Sequence, residues 1–398
     1  MKSAIKNIVV FILIVDIFPY FAINISAQTQ KLEFGGYVTE MPAFIRQNLP
    51  ESQWWTENLV HNRLNFGWQI NDFWRFDAGL RTRLATGSET IVIPESMDFD
   101  KGRIDASWNV INAKSGNYRS LLNLSADRFF VTFEKSKLKL QLGRQRINWG
   151  QTLVWNPNDI FNTYSFFDFD YPERSGCDAF RATYFHTETA STELAASVNY
   201  QGKTTAALMH HRNWRNIDFQ VLAGIFEDDD FVFGGACSGD LSGLNFRGEF
   251  SYFQQMKNNS AWKLPPPMAF AASFGLDYIF SNSLMLQAEV LYNDGEPADS
   301  ENGIMGLYEA PLSAKQLSVS KYNLFAQASY PLTARLNGAV SGIWFADLDA
   351  VYSGISLDYS MLENLDLSLI MQFFTASEAN LPENMQALLG FVRLKYSF

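Results

Sequence analysis

The chain of 398 residues has little charge, little histidine and almost no cysteine. Lys, Arg, Asp and Glu make up 18% of it, against about 25% in an ordinary soluble domain, so this composition does not build a fully solvated surface. Histidine occurs four times, as His61, His186, His210 and His211. No serine sits two residues from any of them, so a Ser–His pair for nucleophilic catalysis is not offered. No two histidines are spaced to share one face of a single strand around a metal. Phosphate loops and dinucleotide fingerprints are missing as well. No catalytic residue, metal site or cofactor is therefore expected. The two cysteines, Cys177 and Cys237, fall at opposite ends of their strands, beyond the ~7 Å limit for a bridge, and are expected as free thiols.

Long apolar runs are absent too, apart from the N-terminus. Lys2 and Lys6 precede Ile8–Ile14, and Ser26-Ala27 offers a small-residue cleavage site before Gln28. This reads as a secretory leader over residues 1–27, with 28–398 as the mature chain. Asp16 interrupts the apolar stretch, which is shorter than the ~20 residues a membrane helix needs. No cysteine follows the cleavage site, so a lipid anchor is not expected. Removing Lys2, Lys6 and Asp16 with the leader moves the formal charge from −11 to −12, which argues against nucleic acid as a partner.

What is present is alternation. Val60, Leu64, Phe66, Trp68 and Ile70 share one parity, and His61, Arg63, Asn65 and Gln69 the other. Beyond an Asn71-Asp72 turn, Trp74, Phe76, Ala78, Leu80 and Leu84 alternate with Arg75, Asp77, Arg81 and Arg83. The same period of two runs through Leu138–Leu142, Leu194–Tyr200, Ile217–Ile225, Leu244–Tyr252, Leu284–Val290, Tyr322–Tyr330 and Leu365–Phe373. Segments of about 10 residues with one greasy and one wet face are the signature of a transmembrane β-barrel. The expectation is an all-β, antiparallel, up-and-down barrel of about 18 strands, with 14 or 16 as alternatives. Short turns are expected at Asn71-Asp72, Ser136, Ser281–Ser283, Pro331-Leu332 and Met361–Asn364. Longer connections at the other end are expected over Met41–Thr56, Gly87–Leu124, Gly150–Cys177, Gln254–Pro267, Asn293–Leu317 and Ala376–Asn384. Ile104–Val110 alternates too, but a hairpin there would break the up-down parity, so it is assigned to an outer loop. Trp54, Trp55, Trp68, Trp74, Trp214, Trp262, Trp344 and Tyr396 are candidates for interfacial girdles.

The chain ends on Val392, Leu394, Tyr396 and Phe398 alternating with Arg393, Lys395 and Ser397. This resembles the closing strand of bacterial outer-membrane barrels, which implies the outer membrane as location, its lipid and lipopolysaccharide as surroundings, and recognition by the barrel-assembly machinery through the strand ending at Phe398. The oligomeric state is not legible.

Alternation stops in Leu142–Arg181. The stretch reads Gly143-Arg144-Gln145-Arg146-Ile147-Asn148-Trp149-Gly150, then Val154-Trp155-Asn156-Pro157-Asn158-Asp159-Ile160-Phe161-Asn162, then Phe167-Asp168-Phe169-Asp170-Tyr171-Pro172-Glu173-Arg174-Ser175-Gly176-Cys177-Asp178-Ala179. It resembles a largely uncharacterised family of porin-like outer-membrane barrels, and its first part resembles an element of alginate-export-like barrels. The resemblance implies a channel or transport role and names no substrate. Read physically, Asn156-Pro157-Asn158-Asp159 turns the chain and lets the loop fold into the lumen. Arg144 and Arg146 are expected to staple it through Asp159, Asp168 or Glu173. Asn148, Trp149, Arg174, Asp178 and Arg181 complete that clamp, unless the segment instead touches cargo. Arg63, Arg75, Arg81 and Arg83 form an inward wall facing Asp168, Asp170 and Glu173, which sets ion selectivity or only stiffens the barrel. Glu227-Asp228-Asp229-Asp230 reads as a solvated loop tip. The function expected is diffusion of small polar or anionic solutes through a narrowed lumen. The alternative is a plugged barrel serving structure, assembly or surface-polymer export.

Overall fold

A computed structural model describes residues 32–48, 52–88, 103–104, 106–116, 118–164, 166–167, 173–256, 268–294, 312–376 and 385–398. The leader expected over 1–27 lies outside them. The strands are β1 (Leu32–Asn48), β2 (Ser52–Gln69), β3 (Trp74–Gly87), β4 (Ser107–Ser115), β5 (Tyr118–Lys135), β6 (Leu138–Gln145), β7 (Cys177–Thr187), β8 (Ala190–Val198), β9 (Thr204–Trp214) and β10 (Ile217–Phe226). They continue as β11 (Asp230–Leu241), β12 (Leu244–Gln255), β13 (Met268–Ile279), β14 (Met285–Asn293), β15 (Tyr322–Pro331), β16 (Leu336–Phe345), β17 (Ala350–Leu362), β18 (Leu365–Ala376) and β19 (Met385–Ser397).

Apart from β4, each strand pairs antiparallel with the next, and β1 pairs with β19 from Tyr37↔Ser397 to Gln47↔Ala387, which closes the sheet. At the seam Gly36 and Phe398 exchange backbone hydrogen bonds of 3.0 Å in both directions. β4 stands outside this circuit. β3 pairs directly with β5 from Trp74↔Phe133 to Gly87↔Arg119. β4 pairs only with the first half of β5, from Ser107↔Ser125 to Ser115↔Tyr118, on the edge that short β6 leaves open. The closed barrel therefore has 18 strands, and 14 and 16 are excluded. The alternation read in Ile104–Val110 does make a strand, contrary to the outer loop assigned to it. The up-down parity survives because that strand is a side branch.

The turns at the end holding both termini are tight, as expected. Asn71 Oδ1 accepts from the N–H groups of Phe73 (2.9 Å) and Trp74 (3.1 Å), fixing the first of them. Arg215 and Asn216 both take positive φ, the geometry of a two-residue hairpin whose twist matches the strands. At the opposite end two expectations fail. Met41–Thr56 is not a loop: β1 and β2 run through it, paired to Asn48↔Ser52. Its inward residues Met41, Ala43, Ile45 and Leu59 are buried under apolar partners instead of a wet lumen, so the greasy–polar contrast disappears there. Gly87–Leu124 is not a loop throughout either: it holds β4 and the first residues of β5, which pair with β3 up to Gly87↔Arg119. Residues 257–267, 295–311 and 377–384, where other long connections were expected, lie outside the described set.

The outward face is apolar. Leu80, Phe129, Leu142, Leu194, Leu208, Val221, Phe274, Val290, Leu324 and Ile355 are all exposed. A closed barrel leaves no unpaired edge, and an apolar outer band makes it a membrane-spanning one. Trp54, Trp68, Trp74, Trp214 and Trp344 are exposed on that face, whereas Trp55 turns inward and packs on the lumen's apolar cluster. Trp262 lies outside the described residues. Both cysteines are free.

Gly143 has a structural reason to be glycine. Its φ is +120°, and a Cβ would lie 2.3 Å from the carbonyl oxygen of Phe129. Gly143→Ala is expected to destabilise the barrel by about 1–3 kcal/mol, the cost of a strained backbone. A lower urea midpoint with an unchanged slope is the expected readout, and an unchanged midpoint contradicts the strain.

Candidate functional site: the inward loop and the arginine wall

β6 ends after eight residues, and the chain turns into the lumen as residues 146–176 before β7 begins. Asn148 Oδ1 accepts from Gly150 N at 3.1 Å. A Cβ on Gly150 would lie 2.1 Å from Asn156 Oδ1, so only glycine lets the two arms of the loop touch.

Amide groups that leave a sheet need acceptors when buried. Three wall carboxylates supply them. Glu193 on β8 accepts from the Trp149 indole N–H. Glu249 on β12 accepts from Gln151 N and Thr152 Oγ1, both at 2.7 Å. Glu289 on β14 accepts from Leu153 N (3.0 Å), Val154 N (3.1 Å) and Trp155 N (2.8 Å), and from Ser273 Oγ (2.9 Å). Further on, Asn158 Nδ2 donates to Gly235 O at 3.1 Å and its Oδ1 accepts from Ser251 Oγ at 2.8 Å. The far end of the loop is held by rings. Phe167 lies 5.3 Å from both Tyr352 and Phe374, and Phe166 5.3 Å from Phe325. The loop thus reaches the wall opposite β6.

A second segment covers part of the same space. Lys315 pairs with Asp230 and stands 5.9 Å from the Phe226 ring, while Ala314 and Leu317 are buried in the lumen clusters. Within the Glu227–Asp230 run Asp230 is buried, while Glu227, Asp228 and Asp229 form the hairpin tip, Asp228 exposed. Asp229 pairs with Lys203 at 2.7 Å, Asp228 accepts from Thr204 N at 2.8 Å, and Asn199 donates to Glu227 at 3.1 Å.

The clamp residues read from sequence lie here. Arg144 pairs with Asp178 at 2.8 Å. Arg181 pairs with Glu193 at 2.6 Å. Arg146 is 3.9 Å from Asp159 and donates to the Glu173 carbonyl at 3.4 Å. Arg174 stacks 3.9 Å over Tyr164, whose hydroxyl accepts from Asn156 at 2.8 Å. Asp168 and Asp170 lie outside the described residues. The Glu173 carboxylate accepts from Tyr37 at 2.9 Å. Glu193, Glu249 and Glu289 were missed as clamp residues. Their signal was present: a single acid at inward parity on each of three strands.

The arginine wall is real in its register. Arg63 stands opposite Arg81, and His61 opposite Arg83. Arg63 pairs with Asp127 on β5 and donates from Nε to Asn65 at 2.8 Å. Arg81 Nε donates to His61 Nε2 at 3.1 Å, and the Tyr37 ring meets that imidazole edge-on at 5.4 Å. Arg75 lies between Glu33 (2.6 Å) and Asp77 (2.9 Å). Arg63, Arg81 and Arg83 are 3%, 6% and 5% exposed. Arg75 instead lines a polar cavity of about 610 Å³ at the termini end, with Asp77, Thr132, Glu134, Lys139 and Gln141.

No family model and no curated protein matches this chain. Solved structures do. OccAB4 of Acinetobacter baumannii is 12% identical, with a TM-score of 0.52 over 94% of this chain and 100% of that one. OccK11 (OpdR) of Pseudomonas aeruginosa is 9% identical, with a TM-score of 0.56 over 92% and 96%. The outer membrane protein opdK of the same organism is 7% identical, with a TM-score of 0.55 over 92% and 99%. These likenesses establish a porin-like barrel fold.

Two predictions follow from the loop. Glu289→Gln removes the charge that three amides share, a loss of about 1.5–3 kcal/mol for a charged hydrogen-bond acceptor. Protease cleavage within residues 150–176 is expected in the folded variant, and full resistance contradicts this anchoring. Burial pushes the Asp159 carboxyl up to about 8 from an ordinary 3.8, against the pull of Arg146. Its two oxygens are buried without a hydrogen-bond partner among the described residues. The folded state therefore holds this proton more tightly than the unfolded one. The stability it contributes is complete below pH 3.8 and is lost as pH rises through about 8. Asp159→Asn is expected to flatten that decline in urea melts taken across this range, and an unchanged slope rejects the assignment.

Proposed function

We propose that this protein is a bacterial outer-membrane channel through which small polar and anionic solutes diffuse, and that it is not an enzyme. The observation that carries the reading is the separation of charge inside the barrel. The acids that hold the loop stand on β8, β12 and β14, while Arg63, Arg75, Arg81 and Arg83 stand together on β2 and β3. Glu249 and Glu289 are engaged by the loop's backbone and Glu193 by Trp149 and Arg181, while Arg63 and Arg75 share their charge with Asp127, Glu33 and Asp77 on the near wall. Arg81 donates to the His61 imidazole on the neighbouring strand. An anion moving beside β2 and β3 meets guanidinium groups backed by a low-dielectric wall. Similarity of fold to opdK, an outer membrane protein, supports the location. The closing strand, with Phe398 hydrogen-bonded across the seam, presents the aromatic terminus that barrel-assembly machinery would read, and the outer band faces lipid. Asp168, Asp170 and Glu173 remain the proposed counter-charges of the passage. The Arg-Gln…Trp-Gly element supports a distant likeness to alginate-export-like barrels.

The near-complete burial of Arg63, Arg81 and Arg83 favours a second reading, a barrel plugged for structure or export. Single-channel recording in planar bilayers separates the two. Stable conductance with anion preference under a salt gradient is expected. A charge about 5 Å from the path is worth ~0.8 kcal/mol in a water-like medium, so Arg81→Ala with Arg83→Ala should lower that preference roughly tenfold. A folded but silent barrel would overturn the channel and leave the plugged reading.

A further inference from the structure

On the outside of the barrel, three strands bring two imidazoles to one point. His186 on β7, Thr192 on β8 and His210 on β9 share the outward parity of exposed Tyr184, Leu194 and Leu208, one step nearer the termini end. Thr192 and His210 are direct register partners. His186 Nε2 lies 2.7 Å from Thr192 Oγ1, and His210 Nδ1 lies 2.9 Å from the same oxygen. The ring centroids are 5.7 Å apart. One hydroxyl has one hydrogen to give, so the two ring nitrogens converge on it with opposite roles.

This arrangement escaped the spacing argument made from sequence, which asked for two histidines on one strand. β7 and β9 flank β8 at about 4.8 Å on either side, and the short Thr192 side chain lets both rings lean over it. Tetrahedral coordination by two imidazole nitrogens at about 2.0–2.1 Å places the ring centres roughly 5 Å apart. Small ring rotations reach that from the observed separation.

We propose that His186 and His210 form a binding site for a first-row divalent cation of the zinc, nickel or copper class. His186 Nε2 and His210 Nδ1 are the protein ligands. Thr192 Oγ1 is the adjacent oxygen, and water fills the remaining positions. The β8–β9 ladder fixes Thr192 and His210 as partners, and His186 stands at the register break of β7 between Phe185 and Thr187, which lets its ring lean over Thr192. The Tyr184 ring, edge-on to His186 at 5.1 Å, limits the rotation of that imidazole. Two exposed positive charges oppose the ion: Lys137 Nζ donates to the His186 carbonyl at 2.9 Å, and Arg212 shares the outward parity of His210 on β9; both are partly screened by solvent. His211 takes no part, because it points into the lumen and pairs with Asp218 at 3.1 Å. The site is thus separate from the passage. An ion there would cross-link three strands where the barrel meets the aqueous boundary.

The test is calorimetric titration of the untagged, metal-stripped barrel in micelles with Zn²⁺, Ni²⁺ and Cu²⁺. One site per barrel is expected, with Cu²⁺ bound most tightly. His186→Asn and His210→Asn should each remove it, His211→Asn should leave it, and Lys137→Gln should strengthen it. The electron paramagnetic resonance of Cu²⁺ on the wild-type barrel should show two imidazole nitrogens, a readout that does not depend on any variant folding. No isotherm with the folded wild type, or binding unchanged in His186→Asn or His210→Asn, overturns the proposal. So does a site that takes inorganic phosphate and no metal.

Discussion

A peptide chain that leaves a β-sheet inside a barrel carries unpaired amides into a space walled by strands whose own backbones are already paired. Only side chains can satisfy it. In this protein Glu193, Glu249 and Glu289 do so, and much of the interior follows from that requirement. Carboxylates are pure acceptors, so they suit a run of donors better than amides or hydroxyls. Once Leu153, Val154 and Trp155 are pinned by Glu289, the Phe166-Phe167 pair is delivered to Phe325, Tyr352 and Phe374. The wall must then supply apolar partners, and Met41, Ile45, Leu59 and Leu389 are buried in the same cluster.

Anchoring by acids also leaves the arginines of β2 and β3 out of the loop's support. Had the arginines held the loop, their charge would have been spent on it. Arg144 and Arg181 are spent in this way, on Asp178 and Glu193. The wall of β2 and β3 is relieved of that duty. Its like charges are spaced by register, Arg63 against Arg81, and tempered sideways by Asp127, Asp77 and Glu33.

The barrel was legible because a period of two survives wherever one face meets lipid and the other meets water. The turns at Asn71-Asp72 and Ser136, the seam strand and the inward parity of the arginines all follow from it. Legibility failed where the inner face stops being wet. Met41–Thr56 lost its contrast because Ala43 and Ile45 pack against loop residues, so a strand passed for a loop. Trp55 passed for a girdle residue for the same reason. The loop was recognisable by its broken alternation, and Asn156–Asp159 marked its turn. Its partners were not, because pairing between residues 289 and 155 depends on the circumference of the barrel and leaves no trace in local spacing. The convergence of His186 and His210 over Thr192 was hidden likewise, since it needs a register across two ladders.

The charge of the whole chain is a poor guide to what enters it. The sequence carries a net −11, yet much of its acid is committed. Glu249 and Glu289 face loop amides, Asp229 and Asp230 face lysines, and Asp127 faces Arg63. A moving ion responds to the groups within a Debye length of about 8–10 Å, and the surroundings screen the rest. Beside β2 and β3 those groups are guanidiniums together with Asp127, Asp77 and Glu33, held in register by a sheet whose first and last strands are bonded to each other. An acidic protein can therefore gather arginines on one side of its barrel, because the strand order brings them together there and gives the carboxylates of the far wall other work.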